Sequence, residues 1–457
     1  MIANHLVRRL RPGLGGLLLL LGVSGCTRPT PPPVEPRFWP SAPYEFSIGI
    51  LTGDAPFSAT ASLNNLPNPV LTAADVPWVG AGFVADPFLF PDPGGGWLLF
   101  FEIMDEPNHK GVVGLARSPD GLDWTYDRVV LDVPHHLSYP QVFAWQGDHY
   151  MLPEGYHSGA IRLYRAEAFP YGWTEVAVLV ETDLVDNTIF HRDGRWWLFG
   201  STRDNRTLHL FSSDQLTSGW KEHPESPIIQ NNLESARMGG PVFEAAGKLW
   251  RVSQDCVERY GSKSRVYEIL ELTPEHYREQ EYAGSPLLEA GDAPWATWGM
   301  HQFDPRPLDA ASNHWLVVVD GYGPAQPDHG LDLVFANGGQ LGGCTLRPHD
   351  AVPGGKILMR FYWDVPVASP PKMFVHAVYR GKTIFQIDHG MTGGDRQAYD
   401  IHGAIPEDAP PGDFEIWVGL FDPATGKRVP VTSRYTVRDH AVKLPLTLTV
   451  HPAENQR

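Results

Sequence analysis

Cysteine is scarce: Cys26, Cys256 and Cys344 are the only three in 457 residues. None lies in a Cys-x-x-Cys or Cys/His cluster, so no structural zinc is expected, and two cysteines beyond Cys26 are no disulfide framework. Cys256 and Cys344 either pair in an exported protein or remain two isolated buried thiols. Charge is also sparse, at 19% Asp, Glu, Lys and Arg against a usual quarter. Basic residues are the scarcer sign, 36 against 53 acidic, for a net charge of -17. That balance excludes nucleic acid or an anionic lipid surface as the main partner. No P-loop, dinucleotide fingerprint, His-Glu-x-x-His or Gly-x-Ser-x-Gly element occurs, so no cofactor is expected and those chemistries are set aside. His135-His136 has no ligand spacing with other residues and reads as loop.

Long apolar runs are missing except near the start. Arg8, Arg9 and Arg11 precede an apolar run from Leu14 to Val23, followed by Ser24, Gly25 and Cys26. That order is the layout of a secretory signal, and the run is too short to span a bilayer. Leu21-Gly22-Val23-Ser24-Gly25-Cys26 resembles the lipobox of bacterial lipoproteins. The resemblance implies cleavage of residues 1–25, acylation of Cys26 and a membrane anchor. Removing three of the 36 basic residues and none of the 53 acidic ones takes the charge from -17 to -20. Thr27, where an Asp would signal retention, implies an exported chain on the outer membrane or cell surface. Residues 26–43, with TRPTPPPVEP, read as an extended Pro-rich tether.

Abundance lies elsewhere. The 46 Gly and 43 Pro make about a fifth of the chain turn-forming, and aromatics reach 11%. Such a chain has too many aromatics to stay disordered and too many breakers for long helices. Along it one pattern recurs. Phe83-Val84-Ala85-Asp86-Pro87-Phe88-Leu89-Phe90 leads through a Gly-rich turn into Trp97–Glu102. Leu137–Phe143 leads through Gln146-Gly147 into Tyr150–Glu154, and Val185–Phe190 through Asp193-Gly194 into Trp196–Ser201. Gly239–Phe243 leads through Ala246-Gly247 into Leu249–Asp255, and a looser copy starts at Met300–Phe303 and resumes at Trp315–Asp320. The markers Phe90, Phe143, Phe190, Phe243 and Phe303 are spaced by 53, 47, 53 and 60 residues. Self-similarity near 50 residues with about four short strands per unit predicts an all-β five-bladed β-propeller over 44–348, with Phe46–Leu51 completing the last blade. Past about residue 350 the repeat stops. Strand candidates at Ile357–Trp363, Phe374–Tyr379, Thr383–Asp388, Phe414–Phe421 and Leu444–Val450 predict a small immunoglobulin-like β-sandwich over 349–457.

In a propeller the first strand of each blade lines the axis. Four residues before each marker stand Asp86, Tyr139, Asp186, Gly239 and Gly299. Asp86 and Asp186, paired across such an axis, suit glycosidic acid/base chemistry, or they cap turns through their own backbone. The second strands end on Glu102, Glu154, Ser201, Asp255 and Asp320. Glu154, delivered by an apolar run into a Gly/Tyr loop, suits a proton donor, or it is a carboxylate accepting backbone hydrogen bonds. Arg237 is placed to clamp a ligand or to neutralise the acids. His301 is placed to donate to ligand hydroxyls or to pack as a core imidazole. Tyr139 and Asp255 complete the expected ligand-contacting set, and no metal ligands are assigned.

Several of these segments, in order, carry a further likeness. Ile48-Gly49-Ile50, Phe83–Phe90, Leu137–Phe143, Gly194–Phe199, Gln254-Asp255 and Arg259-Tyr260-Gly261 resemble the N-terminal domain of the glucosamine inositolphosphorylceramide transferase family. The resemblance covers about half of the chain. It implies a five-bladed propeller akin to the arabinanase and β-xylosidase clans, found in plants beside a glycosyltransferase domain. Relative to arabinanase-like enzymes, Asp86 matches the base position. Tyr139 stands where those enzymes place an Asp, and Asp186 where they place a Glu. Where plant members carry the transferase domain, this sequence carries the sandwich candidate. The implied role is a surface-anchored, carbohydrate-active protein, either glycoside hydrolase-like or a non-catalytic glycan-binding or scaffold lipoprotein in surface-polysaccharide assembly. Its partner would be a carbohydrate or glycoconjugate.

Overall fold

The computed structural model describes residues 44–453 apart from 64, 78, 309–312, 366–370 and 391–397. The signal, Cys26 and the tether lie outside the described residues. No described helix is long and apolar enough to cross a membrane.

The described chain is all-β, with only short 3-10 turns between strands. Three antiparallel sheets of four strands follow one another, each meandering in chain order. The first holds Ala81–Pro91, Trp97–Asp105, Lys110–Ser118 and Thr125–Leu131. The second holds Ser138–Trp145, Asp148–Glu154, Ile161–Ala168 and Tyr171–Val180. The third holds Val185–Arg192, Arg195–Ser201, Leu208–Ser213 and Lys221–Glu222. Two-residue turns set the registers. Gln146-Gly147, Asp193-Gly194 and Ala246-Gly247 all have positive φ at both positions, the twist that joins adjacent antiparallel strands without splaying them.

The fourth sheet is built on Lys248–Asp255 and Lys263–Leu272, and its first strand is split. Arg237–Met238 and Phe243–Ala245 both pair with Lys248–Asp255. Between them a Cβ on Gly240 would lie 2.2 Å from the Phe303 carbonyl oxygen, so glycine is what lets the fifth sheet approach. That sheet joins Phe303–Pro307 and Trp315–Pro324 to the early strand Tyr44–Gly53. The register runs from Tyr44 opposite Pro324 to Gly53 opposite Trp315, so the early strand is paired as expected.

Alternation along the strands turns apolar faces between neighbouring sheets. Leu98 and Phe100 of the first sheet cluster with Val142, Met151 and Trp173 of the second. Further clusters join the second sheet to the third, the third to the fourth and the fourth to the fifth. Ile48, Leu316 and Val318 of the fifth sheet then cluster with Val84, Leu99 and Phe101 of the first. Each fully buried Phe or Leu in these seams contributes about 1.5–3 kcal/mol.

Beyond Pro324 two further sheets share one apolar core. Phe335, Leu346, Met359 and Phe361 come from one, and Val375, Phe414, Val418 and Leu448 from the other. All five strand candidates beyond residue 350 fall inside observed strands of this pair. The division comes earlier than the sequence pattern suggested. Gln340–Arg347 pairs with Lys356–Val365, and His329–Phe335 pairs with Gln340–Arg347. These two strands therefore belong with the C-terminal sheets, and the break falls between Pro324 and His329 rather than after 348. Arg347 ties the parts together, donating to the Ala81 carbonyl at 3.1 Å and to Asp328 at 2.8 Å. Cys256 and Cys344 are unpaired and buried.

Candidate functional site

The first strands of the first three sheets share one irregularity. Their register slips between Ala85 and Phe88, Ser138 and Gln141, and Val185 and Thr188. In each slip sits a non-glycine residue in the left-handed region: Asp86 at φ 51°, Tyr139 at 48° and Asp186 at 48°. Such conformations cost on the order of 1–3 kcal/mol each and collect at functional sites. They are the positions found by counting back from the marker phenylalanines. A carboxylate holds each turned backbone N–H. Asp86 donates to Asp320 Oδ2 at 3.0 Å, Tyr139 to Asp86 Oδ2 at 3.2 Å, and Asp186 to Glu154 Oε2 at 3.0 Å. The second-strand ends thus serve as staples between sheets, as well as bringing acid to one place.

One side of this cluster is closed by charge. Arg237 donates through Nε to Asp186 Oδ2 at 2.5 Å and through Nη2 to Oδ1 at 3.2 Å. It also reaches Glu154 at 3.5 Å and Asn205 Oδ1 at 2.9 Å. Gln254 Nε2 adds a donor to Asp186 Oδ2 at 2.6 Å. The Tyr260 ring lies under the guanidinium, 5.1 Å away. Burial and the Asp186 charge raise the Glu154 carboxyl well above its usual range, although Arg237 opposes them. Burial disfavours the Arg237 charge, but Asp186, Tyr260 and Glu154 outweigh it and push its pKa upward.

The other side is open-valenced. His301 Nδ1 lies 2.5 Å from Asp320 Oδ1, and its Nε2 faces Asp86 Oδ1 at 3.5 Å. The imidazole stacks on Phe46 with centroids 4.8 Å apart. Burial lowers the His301 pKa, yet Asp320 and Asp86 outweigh it, and the net shift is upward. Asp86 is 5% exposed, and its Oδ1 is buried without a hydrogen-bond partner. Burial pushes its carboxyl up to about 7, with His301 opposing and Asp186 and Asp320 adding. Glu102, one strand over and opposite Ala85, is raised well above its usual range by burial and then by the charge on Asp86.

Sequence reasoning therefore brought Asp86, Glu154, Asp186, Arg237 and His301 to one place. Two expected ligand contacts are corrected. Tyr139 is fully buried and reaches across to the fourth sheet, donating to the Gly240 carbonyl and accepting its N–H, both at 2.8 Å. Thr188 completes that hydroxyl's shell at 2.9 Å, so none of its capacity is left for a ligand. Asp255 accepts from Arg265 at 2.9 Å and from the Val257 N–H at 2.9 Å, a strand-end brace. Both oxygens of Asp186, expected to take part in the acid/base chemistry, are engaged in accepting from Arg237. Glu102 and Asp320 had been noted only as strand ends. Gln254 and Tyr260 carried no signal beyond their place in the family-like segment. His135-His136 lies in a loop, as expected, and from it His136 Nε2 faces Glu102 Oε1 at 3.4 Å.

Asp86, His301 and Asp320 are the one group among the described residues that offers three metal-type donor atoms, all within 4.8 Å. The Nδ1–Asp320 hydrogen bond already uses one imidazole nitrogen, and Nε2 faces Asp86 Oδ1 at 3.5 Å. What the cluster can do chemically is exchange a proton near neutral pH at Asp86, beside two carboxyls with raised pKa, Glu102 and Glu154, and a fixed cation.

Comparison with known proteins follows the same stretch of chain. The family described as "Glucosamine inositolphosphorylceramide transferase 1, N-terminal" matches residues 42–322. Glucosamine inositolphosphorylceramide transferase 1 from Oryza sativa subsp. japonica is 36% identical over 304 residues, 62% of this chain and 40% of the relative. Its namesake from Arabidopsis thaliana is 37% identical over 300 residues, 60% of this chain and 39% of the relative. The chain thus spans about two fifths of the curated relatives it matches. Among solved structures, a thermostable family-43 glycoside hydrolase matches at 14% identity and TM-score 0.40, over 56% of this chain and 91% of that one. An exo-β-1,3-galactanase from Phanerochaete chrysosporium matches at 11% identity and TM-score 0.36, over 70% and 90%. Both scores lie below 0.5, and the strand pairing described above stands independently of them.

Proposed function

The chain belongs to the glucosamine inositolphosphorylceramide transferase 1, N-terminal, family, and from that premise we propose that it performs glycosyl-bond chemistry on a carbohydrate or glycoconjugate. The five sheets would be the blades of a propeller, sealed by the strand at Tyr44–Gly53, and the two C-terminal sheets an immunoglobulin-like sandwich. The acidic cluster would lie at one mouth of the axis.

One observation carries the proposal. Asp86 holds a left-handed backbone, a buried oxygen without a hydrogen-bond partner and a carboxyl poised near neutrality. A stability-selected site has no use for that combination, whereas a proton acceptor or nucleophile does. In this mechanism Asp86 takes a proton from the attacking water, or attacks the anomeric carbon itself. His301, held by Asp320, stabilises the ionised Asp86. Arg237 binds both oxygens of Asp186 and fixes the opposite wall, so it shapes the field rather than clamping the sugar directly.

A second reading, glycan binding without turnover, is favoured by the burial of the cluster, where Asp186 is 1% and Asp320 0% exposed. A screen of glycans for binding and hydrolysis, with wild type beside Asp86→Asn, separates the two. Hydrolysis by wild type and at least a 10²-fold loss in the variant supports the enzyme. Binding by both with turnover by neither supports the second reading. An exported chain acylated at Cys26, on the outer membrane, is part of the proposal and is tested by fractionation of Cys26→Ser.

A further inference from the structure

We propose that Glu102 is the proton donor to the leaving-group oxygen, with Asp86 its proton-accepting partner on the neighbouring strand and His136 the residue that orients it. The inference rests on the glycosyl-bond reading of the same site and names the acid that reading lacks.

Geometry comes first. Glu102 lies in the second strand of the first sheet, opposite Ala85 and so one residue from Asp86. Its Oε1 faces His136 Nε2 at 3.4 Å. The tautomer of His136 follows from its other nitrogen, because the Gly111 backbone N–H points at Nδ1 from 2.7 Å. A backbone N–H only donates, so in the neutral ring Nδ1 accepts and the proton sits on Nε2, aimed at Glu102 Oε1. Oε2 is then the oxygen available to carry an acidic proton. Gly111 makes this packing possible. A Cβ there would lie 2.7 Å from Glu102 Oε1, 2.9 Å from His136 Cε1 and 2.1 Å from the Leu137 carbonyl oxygen.

Glu154 is the rival acid, and its surroundings are different. Its Oε2 accepts from the Asp186 N–H and faces Arg237. The charges facing Glu102 are Asp86, Glu154, Asp186 and Asp320, all of which raise its carboxyl after burial. Glu102 thus has its carboxyl raised by burial and by acidic neighbours, whereas Arg237 opposes the same rise at Glu154. Two neighbouring carboxyls in different environments are the usual division into acid and base. The step balances. The glycosidic C–O bond breaks as its oxygen takes the Glu102 proton, and water adds to the anomeric carbon as Asp86 takes the water's proton. Solvent then returns a proton to Glu102 and removes one from Asp86.

The test uses the full chain and a panel of 4-nitrophenyl and 2,4-dinitrophenyl glycosides, whose leaving groups differ in their need for a proton. Glu102→Gln is expected to lose about 10²–10⁴-fold in kcat/KM on the 4-nitrophenyl substrates. It should stay within about tenfold of wild type on the 2,4-dinitrophenyl ones, as expected when only general-acid assistance is removed. The alkaline limb of the pH profile should vanish with it, and the melting temperature should stay near wild type. Asp86→Asn is expected to lose both substrate classes alike. Equal loss on both classes by Glu102→Gln, or the selective loss appearing in Glu154→Gln instead, overturns the assignment. Turnover that Glu102→Gln preserves in full overturns it alone. A wild type that turns over no aryl glycoside overturns the hydrolytic reading beneath it as well.

Discussion

The two sides of the acidic cluster use the same residue types to opposite effect. Around Asp186, each carboxylate oxygen accepts from a named donor, and a guanidinium sits between two acids. Around Asp86 one oxygen has no hydrogen-bond partner, the cation facing it is a titratable imidazole, and the carboxyl of neighbouring Glu102 is raised well above its usual range. A buried carboxylate with a fixed cation is a structural member. A buried carboxylate whose counter-charge can come and go is a chemical one. Number of acids does not separate the sides, because each has at least two. Satisfaction of their oxygens does.

The sharpest way to break the comparison is to remove the fixed cation. Arg237→Met leaves Asp186 and Glu154 buried against each other. Breaking a buried pair in this manner costs about 3–5 kcal/mol. Urea unfolding at pH 7 should show that loss, and Asp186→Asn in the same chain should recover part of it. A cost below about 1 kcal/mol would mean that Arg237 decorates the wall rather than closing it.

How much of this was legible beforehand depends on whether the cause was local. The hairpins were legible because Gln146-Gly147, Asp193-Gly194 and Ala246-Gly247 announce their turns, and the repeat placed Asp86 and Asp186 at equivalent strand entries. Arg237 and His301 were found for the same reason. The destination of Tyr139 was not legible. Its hydroxyl meets Gly240 101 residues away, and nothing in Ser138-Tyr139-Pro140 says that it crosses to another sheet. The sheet break before His329 was hidden likewise. Apolar alternation from Leu331 to Phe335 reads the same whichever sheet accepts the strand, and pairing is a tertiary decision. Glu102 was visible only as a strand end, because three of the four carboxylates that raise it come from other sheets.

A smaller effect, of opposite sign, belongs to the poised side. Asp86 has its folded-state pKa raised to about 7 from an ordinary 3.8. As pH climbs through 3.8 the unfolded chain ionises while the folded one holds its proton, so stability falls until about pH 7 and is level above it. Three pH units at 1.36 kcal/mol each set a ceiling of about 4 kcal/mol. Asp86→Asn, which keeps an oxygen for the Tyr139 N–H, removes that penalty. It should be about 1–3 kcal/mol more stable than wild type at pH 7.5 and indistinguishable near pH 4. Denaturant midpoints at the two pH values check this. A variant less stable at pH 7.5 would move Asp86 to the structural side.

The smallest effect comes from Gln254, and its smallness is what sharpens the contrast. Its Nε2 donates to Asp186 Oδ2 at 2.6 Å, a bond to a charged group of the kind worth about 1.5–3 kcal/mol. Its Oε1, however, is buried without a partner, and an unsatisfied buried acceptor costs about 1–3 kcal/mol. Gln254→Leu gives up the first and relieves the second, so the two nearly cancel and stability should change by less than about 1 kcal/mol. Asp186 would still be held by both Arg237 contacts. Gln254→Glu is the counterpart, similar in shape but placing a carboxylate beside Asp186, and it should destabilise increasingly as pH rises. If Gln254→Leu instead cost more than about 2 kcal/mol, Asp186 would depend on the amide as much as on the guanidinium. The closed side would then rest on a hydrogen-bond network rather than on a single fixed cation.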